Sequence, residues 1–282
     1  MTNNPAAPTP QPASAMTLDS YRFPAHRLLR QQTSDNRTPL VLVACGSFSP
    51  ITYLHLRMFE MANDYARINT QFEVVGGYLS PVSDAYKKAG LASSDHRVRM
   101  CELAVEETSS WLMVDPWEAI QPDYMPTAKV LDHFEHEINQ VLGGVLSADG
   151  SRRKPVKIML LAGADLIGTM STPGVWAESD LDHILGSFGA MIVERSGTDM
   201  DEALGNLKPW EDNIYVIHQM IQNDVSSTKI RLFLKRDMSI QYLIPQPVIE
   251  YIDQHGLYTE DGDGAKPDDS ATKSKDKQRA TN

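Results

Sequence analysis

The chain has 282 residues, 41% hydrophobic and 22% charged, with a formal net charge of −11. That composition suits one large globular domain or two small ones, and the negative balance argues against a broad nucleic-acid surface. No window reaches the ~18 consecutive apolar residues of a membrane helix. An anionic ligand must then be held by a local cluster of cations working against the global field. The opening MTNNPAAPTPQPASAM has neither the basic start nor the apolar block of a secretory signal. The two cysteines, Cys45 and Cys101, have no metal-ligand spacing. A reducing compartment, cytoplasm or nucleus, is expected, with no membrane and no nucleic-acid partner.

In chain order, residues 1–36 read as a mobile N-terminal extension, with a short helix possible in YRFPAHRLLRQQ (21–32). The folded domain is expected over 37–259. Its strand candidates are LVLVA (40–44), FEVVGGY (72–78), WLMVD (111–115), KIMLLA (157–162), AMIVE (190–194) and NIYVIH (213–218). Several are apolar at consecutive positions, as in strands covered on both faces. Helical patterns lie between them. Leu54, Met58, Met61 and Tyr65 form one stripe, SSDHRVRMCELAVEE (93–107) opens on capping residues, and PQPVIEYIDQHGLY (245–258) has Gly256 as its stop. Residues 260–282, where lysines and aspartates interleave, read as a disordered tail. The alternation predicts a doubly wound α/β fold, a parallel sheet with helices on both faces, which binds ligands beyond the carboxyl ends of its strands.

Those strand ends carry the candidate chemistry. In GSFSPITYLH, Gly46 and Ser47 follow the first strand, and Thr52 and His55 lie one turn apart at the mouth of the next helix, where backbone N–H groups and the helix dipole favour an anion. The same pattern also describes a plain capped helix. In NDVSSTKIR (223–231) the caps Ser226 and Ser227 precede Thr228, Lys229 and Arg231, a hydroxyl, an ammonium and a guanidinium that could cradle phosphate, or be solvated charges on a helix. Lys87 and Lys88 follow another strand end, as do Gly163 and Asp165, and Trp176 in TPGVW is either core or a stacking platform. Neither G-x-G-x-x-G nor G-x-x-x-x-G-K-[ST] occurs at the expected turns, which demotes a dinucleotide dehydrogenase and a P-loop ATPase.

In combination, GSFSPITYLH resembles the (H/T)-x-x-H signature of nucleotidylyltransferases, and SSTKIR is similar to their ISSTxxR signature. GSFSPITYLHLRMFEMA, SPVSDAYKKAG, VDPWEA, GADL and PGVW, in this order, resemble the eukaryotic nicotinamide/nicotinate-mononucleotide adenylyltransferases over about residues 38–258. The resemblance implies a single Rossmann-like domain in which Gly46, Ser47 and Phe48 contact nucleotide and His55 holds ATP phosphates together with Thr52. Lys87 and Lys88 would lie near the phosphates, Tyr86 would contact nucleotide, and Gly163 and Asp165 would lie along it. Arg195 and Asn223 would line the adenine-ribose side. Ser227, Thr228, Lys229, Ile230 and Arg231 would cradle triphosphate. Tyr124, Thr127, Val175 and Trp176 would enclose the pyridine ring. The chain departs from the wider pattern at Thr52, where many superfamily members have His, at Leu54, where many have Gly, and at Tyr124, where some have Trp.

The implied reaction is adenylyl transfer from ATP to nicotinamide mononucleotide, and to nicotinate mononucleotide, giving NAD or its deamido form and pyrophosphate. His55, Lys88 and Arg231 are its expected catalytic residues. Mg²⁺ is expected on the ATP phosphates without a protein metal site, and a homo-oligomer is possible. The alternatives are another adenylyl- or cytidylyltransferase of the superfamily, or a non-catalytic NAD-binding sensor or chaperone.

Overall fold

The computed structural model describes residues 17–195 and 200–259. Residues 1–16 of the mobile extension expected over 1–36, and the expected disordered tail at 260–282, lie outside the described residues. All six strand candidates are strands of one sheet: β1 Thr38–Gly46, β2 Phe72–Pro81, β3 Leu112–Val114, β4 Lys157–Gly163, β5 Ala190–Val193 and β6 Ile214–Ile217. Their order is β3-β2-β1-β4-β5-β6, and every neighbouring pair is parallel. The strand order reverses between β1 and β4, so the crevice beyond their carboxyl ends is the topological switch point.

The apolar runs follow from this topology. Along β1, Leu40, Leu42 and Ala44 face one core while Val41 and Val43 face the other, and Leu40 through Val43 are fully buried. Each such side chain contributes about 1.5–3 kcal/mol of transfer free energy. The first core is completed by α1 Tyr53–Asn69, α2 Ser94–Thr108 and α6 Gln246–His255, the second by α3 Thr127–Glu135, α4 Ala164–Ser171 and the 181–188 segment. Gly256 ends α6 in the left-handed region at φ 58°. On α1 the deeply buried stripe is Leu56, Phe59, Ala62 and Ala66; Met58, Met61 and Tyr65 flank it, half-buried. The sheet lies beneath the small residues, one position round from the expected stripe. α5 Ser227–Lys235 carries the SSTKIR motif. No helix among the described residues is long and apolar enough to cross a membrane.

Residues 21–32 differ from the sequence expectation: they form no helix, and they are packed against the domain. Tyr21 donates its hydroxyl to Asp115 (2.9 Å), and Phe23 packs on Tyr78 and Phe134. Arg27 Nη1 donates to the carbonyls of Val105 and Leu112 (3.0 and 2.9 Å), and Leu28 is buried. Backbone N–H groups that a helix would use internally go elsewhere, Leu29 to the Val75 carbonyl and Gln32 to that of Leu146. Pro24 also biases Phe23 away from helical backbone. The basic SRRK stretch forms one arm of a small hairpin (Val145–Leu146 with Arg153–Lys154). Arg153 donates to the Leu142 and Gly143 carbonyls there, and Lys154 to those of Asp35 and Arg37.

Candidate functional site

Gly46 ends β1 where the chain must turn under the crevice. A Cβ at Gly46 would lie 3.0 Å from the Phe48 ring, which is itself buried, and Phe48 has φ 44°, a conformation uncommon for a side-chain-bearing residue. Several contacts hold this turn. Ser49 is fully buried; its hydroxyl meets Tyr258 Oη at 2.7 Å and accepts the Ala92 N–H, and its carbonyl accepts from Arg231 Nη1 at 2.7 Å. Arg97, also fully buried, donates Nη1 to the Ser47 carbonyl (3.1 Å), Nε to that of Ala92 (2.8 Å) and Nη2 to that of Val82 (2.7 Å), with Asp84 at 3.1 Å as its ion-pair partner. One guanidinium thus ties the turn after β1 to the loop after β2 and the start of α2.

Thr52 and His55 form a local unit at the start of α1. His55 Nδ1 accepts the Thr52 backbone N–H (3.0 Å) and lies 2.9 Å from Thr52 Oγ1. That arrangement leaves Nε2 as the donor of a neutral ring. Burial, with Phe48 edge-on at 5.2 Å, lowers the His55 pKa to about 4, so the ring is uncharged at neutral pH. Thr52 is fully buried and lines neither cavity at the β1 turn; its side chain meets His55.

Two cavities meet over the β1 turn, sharing Cys45, Gly46, Ser47 and Leu166. The first, about 620 Å³, runs from the turn along the ends of β4 and β5 to the start of α5. Its charged lining is Lys88, Arg195, Lys229 and Arg231 against Asp165 and Glu194. Four cations against two acids supply the local reversal of sign that a chain of net charge −11 requires. His55, Ser227 and Thr228 add further polar groups, and Arg195 pairs with Asp165 at 2.8 Å. Gly163, the N-cap of α4, lines the cavity too, and a Cβ there would meet no atom within 4 Å. Ser226 is the N-cap of α5, its hydroxyl accepting the Lys229 N–H at 3.3 Å, while Ser227 Oγ donates to the Pro50 carbonyl at 2.7 Å. The two signature stretches are therefore bonded to each other.

The second cavity, about 580 Å³, is lined by Tyr86, Tyr124, Thr127, Val175 and Trp176. Tyr86 and Tyr124 stack at 5.9 Å, and Trp176 is half-buried with its indole N–H 3.2 Å from Thr169 Oγ1.

The structure thus brings together most of the residues singled out from the sequence, with differences. Tyr86 lines the aromatic cavity. Lys87 is exposed and lines neither cavity, because the chain turns so that Lys88 alone points inward. Ile230 is 1% exposed, packed in the first core beneath α5, and lines neither cavity. Asn223 lines neither cavity; it braces its own loop, accepting from the Val225 N–H and donating its N–H to Gln219. Sequence reasoning missed Arg97, Cys45 and Glu118. For Arg97 a signal existed, since Arg97, Met100, Cys101 and Ala104 fall at i, i+3, i+4 and i+7 on the buried face of α2. Among the described residues no three His, Cys, Asp or Glu side chains group in a way that could hold a metal.

A doubly wound sheet with a cation-lined cavity at its switch point defines a nucleotide-binding α/β protein. The chain matches the cytidylyltransferase-like family model over residues 43–233. It is 59% identical over 255 residues to nicotinamide/nicotinic acid mononucleotide adenylyltransferase 1 of Saccharomyces cerevisiae, covering 89% of this chain and 63% of that protein. Over 260 residues it is 38% identical to nicotinamide/nicotinic acid mononucleotide adenylyltransferase 1 of Bos taurus, covering 82% and 92%. Its fold is similar to that of Plasmodium falciparum nicotinic acid mononucleotide adenylyltransferase complexed with APC, with a TM-score of 0.56 at 20% identity over 79% of this chain and 98% of that one. The chain therefore belongs to the cytidylyltransferase-like family, among the nicotinamide/nicotinic acid mononucleotide adenylyltransferases. It spans 63% of the length of the Saccharomyces relative.

Proposed function

We propose that this chain transfers the adenylyl group of ATP to nicotinamide mononucleotide and to nicotinate mononucleotide, releasing pyrophosphate and forming NAD or its deamido form. The observation that carries this reading is the pair of cavities joined at Cys45–Ser47, one lined with cations and helix N-termini, the other with aromatic rings. ATP suits the first and a pyridine mononucleotide the second, with the two phosphates meeting over the β1 turn. An oxygen of the mononucleotide 5′-phosphate attacks the α-phosphorus of ATP, the bond to the β-phosphate oxygen breaks, and pyrophosphate leaves with that electron pair. The attacking phosphate is already ionised at neutral pH, so no general base is required.

The protein's contribution is positioning and charge stabilisation. His55, neutral, donates from Nε2 to a phosphate oxygen. Lys88, Lys229 and Arg231 oppose the charge that grows on the leaving pyrophosphate, and Arg231 is fixed for this by its bond to the Ser49 carbonyl. Arg195 and Asp165 hold the adenosine side, and Gly163 leaves room for it. Tyr124, Thr127, Val175 and Trp176 receive the pyridine ring. Magnesium would arrive with ATP and would offset phosphate charge there, beside Lys88, Lys229 and Arg231. We place the reaction in the cytoplasm or nucleus, where the free thiols of Cys45 and Cys101 persist. Pyrophosphate release, measured with ATP, Mg²⁺ and each mononucleotide in turn, tests the proposal; release that requires the mononucleotide supports it, and none with either overturns it.

A further inference from the structure

The second cavity contains a titratable group for which the proposed transfer gives no use. Glu118 is 3% exposed, yet it belongs to the wall that carries Tyr124, Thr127 and Trp176. Its Oε2 accepts a 2.6 Å hydrogen bond from Ser80 Oγ. Oε1 takes no hydrogen bond from any described residue. A carboxyl so deeply set, with one oxygen anchored and the other turned to a cavity, is built to meet something placed there.

The groups around it come from every element that packs against it. Cys45 faces it from β1, Ser80 from β2, Arg97 from α2 and Asp115 from the end of β3, while Tyr86, Tyr124 and Asp180 complete the cavity wall. Burial holds the Cys45 thiol and the Tyr124 phenol above their usual ranges, so both stay neutral. For Glu118 itself, burial disfavours the charged form, against which the Ser80 hydrogen bond and Arg97 work, while Asp115 adds to it; the result lies at about 7. At neutral pH both forms of this carboxyl are accessible, and they offer opposite hydrogen-bonding characters.

We propose that Glu118 is a specificity-determining residue that lets one cavity take both ring substituents of a pyridine mononucleotide. As a carboxylate it accepts an N–H of a carboxamide through Oε1. As a carboxylic acid it donates its O–H to a carboxylate. The proton is exchanged with solvent before binding, so no other group need carry it. The inference rests on the adenylyl-transfer reading above, and it makes the preference between the amide and acid substrates a function of pH.

The test is the ratio of kcat/KM for nicotinamide mononucleotide to that for nicotinate mononucleotide, measured from pH 6 to pH 8.5. Ionisations common to both substrates, including their phosphates and His55, cancel in this ratio. It should rise about tenfold or more between pH 6 and pH 8 in the wild type, because each substrate selects the opposite form of Glu118. In Glu118→Gln, whose amide both donates and accepts, the ratio should be flat. Ser80→Ala removes a bond that favours the charged form, so the ratio should fall by the same factor at every pH; this decides the matter if Glu118→Gln fails to fold. A flat wild-type ratio, a slope retained in Glu118→Gln, or an unchanged ratio in Ser80→Ala would overturn the inference while leaving adenylyl transfer intact. Failure of the wild type to turn over either substrate would overturn both.

Discussion

The two cavities are neighbours made in different ways. The first rests on backbone that cannot easily move: Leu40 through Val43 are fully buried behind it, Ser49 and Thr52 are fully buried beneath it, and Arg97 and Tyr258 bond the turn from below. Its polar groups come from strand ends and helix starts, where the fold itself fixes them. The second is walled by loops; Tyr124 is 48% and Val175 58% exposed, and its two tyrosines stack on each other. A rigid, cation-lined site suits a step in which charge must be stabilised without reorganisation. A loop-walled aromatic site suits a ring that is bound equally before and after the step. The contrast predicts that substitutions beneath the β1 turn alter folding and kcat, whereas those in the exposed aromatic wall of the second cavity alter mononucleotide KM.

The most damaging change should be Arg97→Leu. It leaves the buried Ala92 and Val82 carbonyls and the half-buried Ser47 carbonyl without their donor, at a cost of about 3–5 kcal/mol. Chemical denaturation checks this, and a loss below 1 kcal/mol would mean that the β1 turn holds itself. His55→Ala should fold normally and lower kcat by roughly 10²–10³, with KM for the mononucleotide little changed, because its donor acts as charge develops. A kcat near that of the wild type would remove His55 from the catalytic set.

Glu118→Gln compares the cavities through stability. Burial raises the folded-state pKa of Glu118 from the ordinary 4.5 to about 7, so the group's stabilisation is complete below pH 4.5 and lost as pH rises through 7. The variant should therefore gain on the wild type by as much as about 3 kcal/mol at pH 8 relative to pH 4.5. Urea melts at the two pH values measure this; equal differences at both would place Glu118 in contact with water.

Around the aromatic ring, Trp176→Ala should raise mononucleotide KM about tenfold through a lost stacking contact of roughly 1–1.5 kcal/mol and leave kcat nearly alone. An unchanged KM would assign Trp176 wholly to the core it also touches. The smallest effect on folding belongs to Gly163→Ala. The new methyl meets no protein atom, so stability should stay within about 0.5 kcal/mol. KM for ATP should nevertheless rise, because the methyl would occupy space proposed for the nucleotide.

The same contrast governs what could be read from the sequence. Six strands were legible because a parallel sheet covered on both faces forces unbroken apolar runs such as LVLVA and KIMLLA. Lys88, His55, Lys229 and Arg231 were legible because they follow strand ends or open helices. Arg97 was not read as buried, although its spacing with Met100 and Ala104 contained the signal, because a cation inside a helix is ordinarily solvated. Glu118 was hidden for a different reason: nothing in VDPWEA says that the loop after β3 folds beneath Ser80. The 21–32 segment was misread because its side chains are anchored to distant partners, Phe23 to Tyr78 and Arg27 to the Leu112 carbonyl, and local pattern does not report such contacts.

In the proposed reaction two substrates meet across the β1 turn, and His55 donates to phosphate as charge develops. The direct measurement is pyrophosphate release from ATP and Mg²⁺ with each mononucleotide, wild type beside His55→Ala. Mononucleotide-dependent release by the wild type, reduced at least a hundredfold in the variant, is the predicted result. Binding of NAD without any release of pyrophosphate would contradict it and make the chain a dinucleotide-binding protein without turnover.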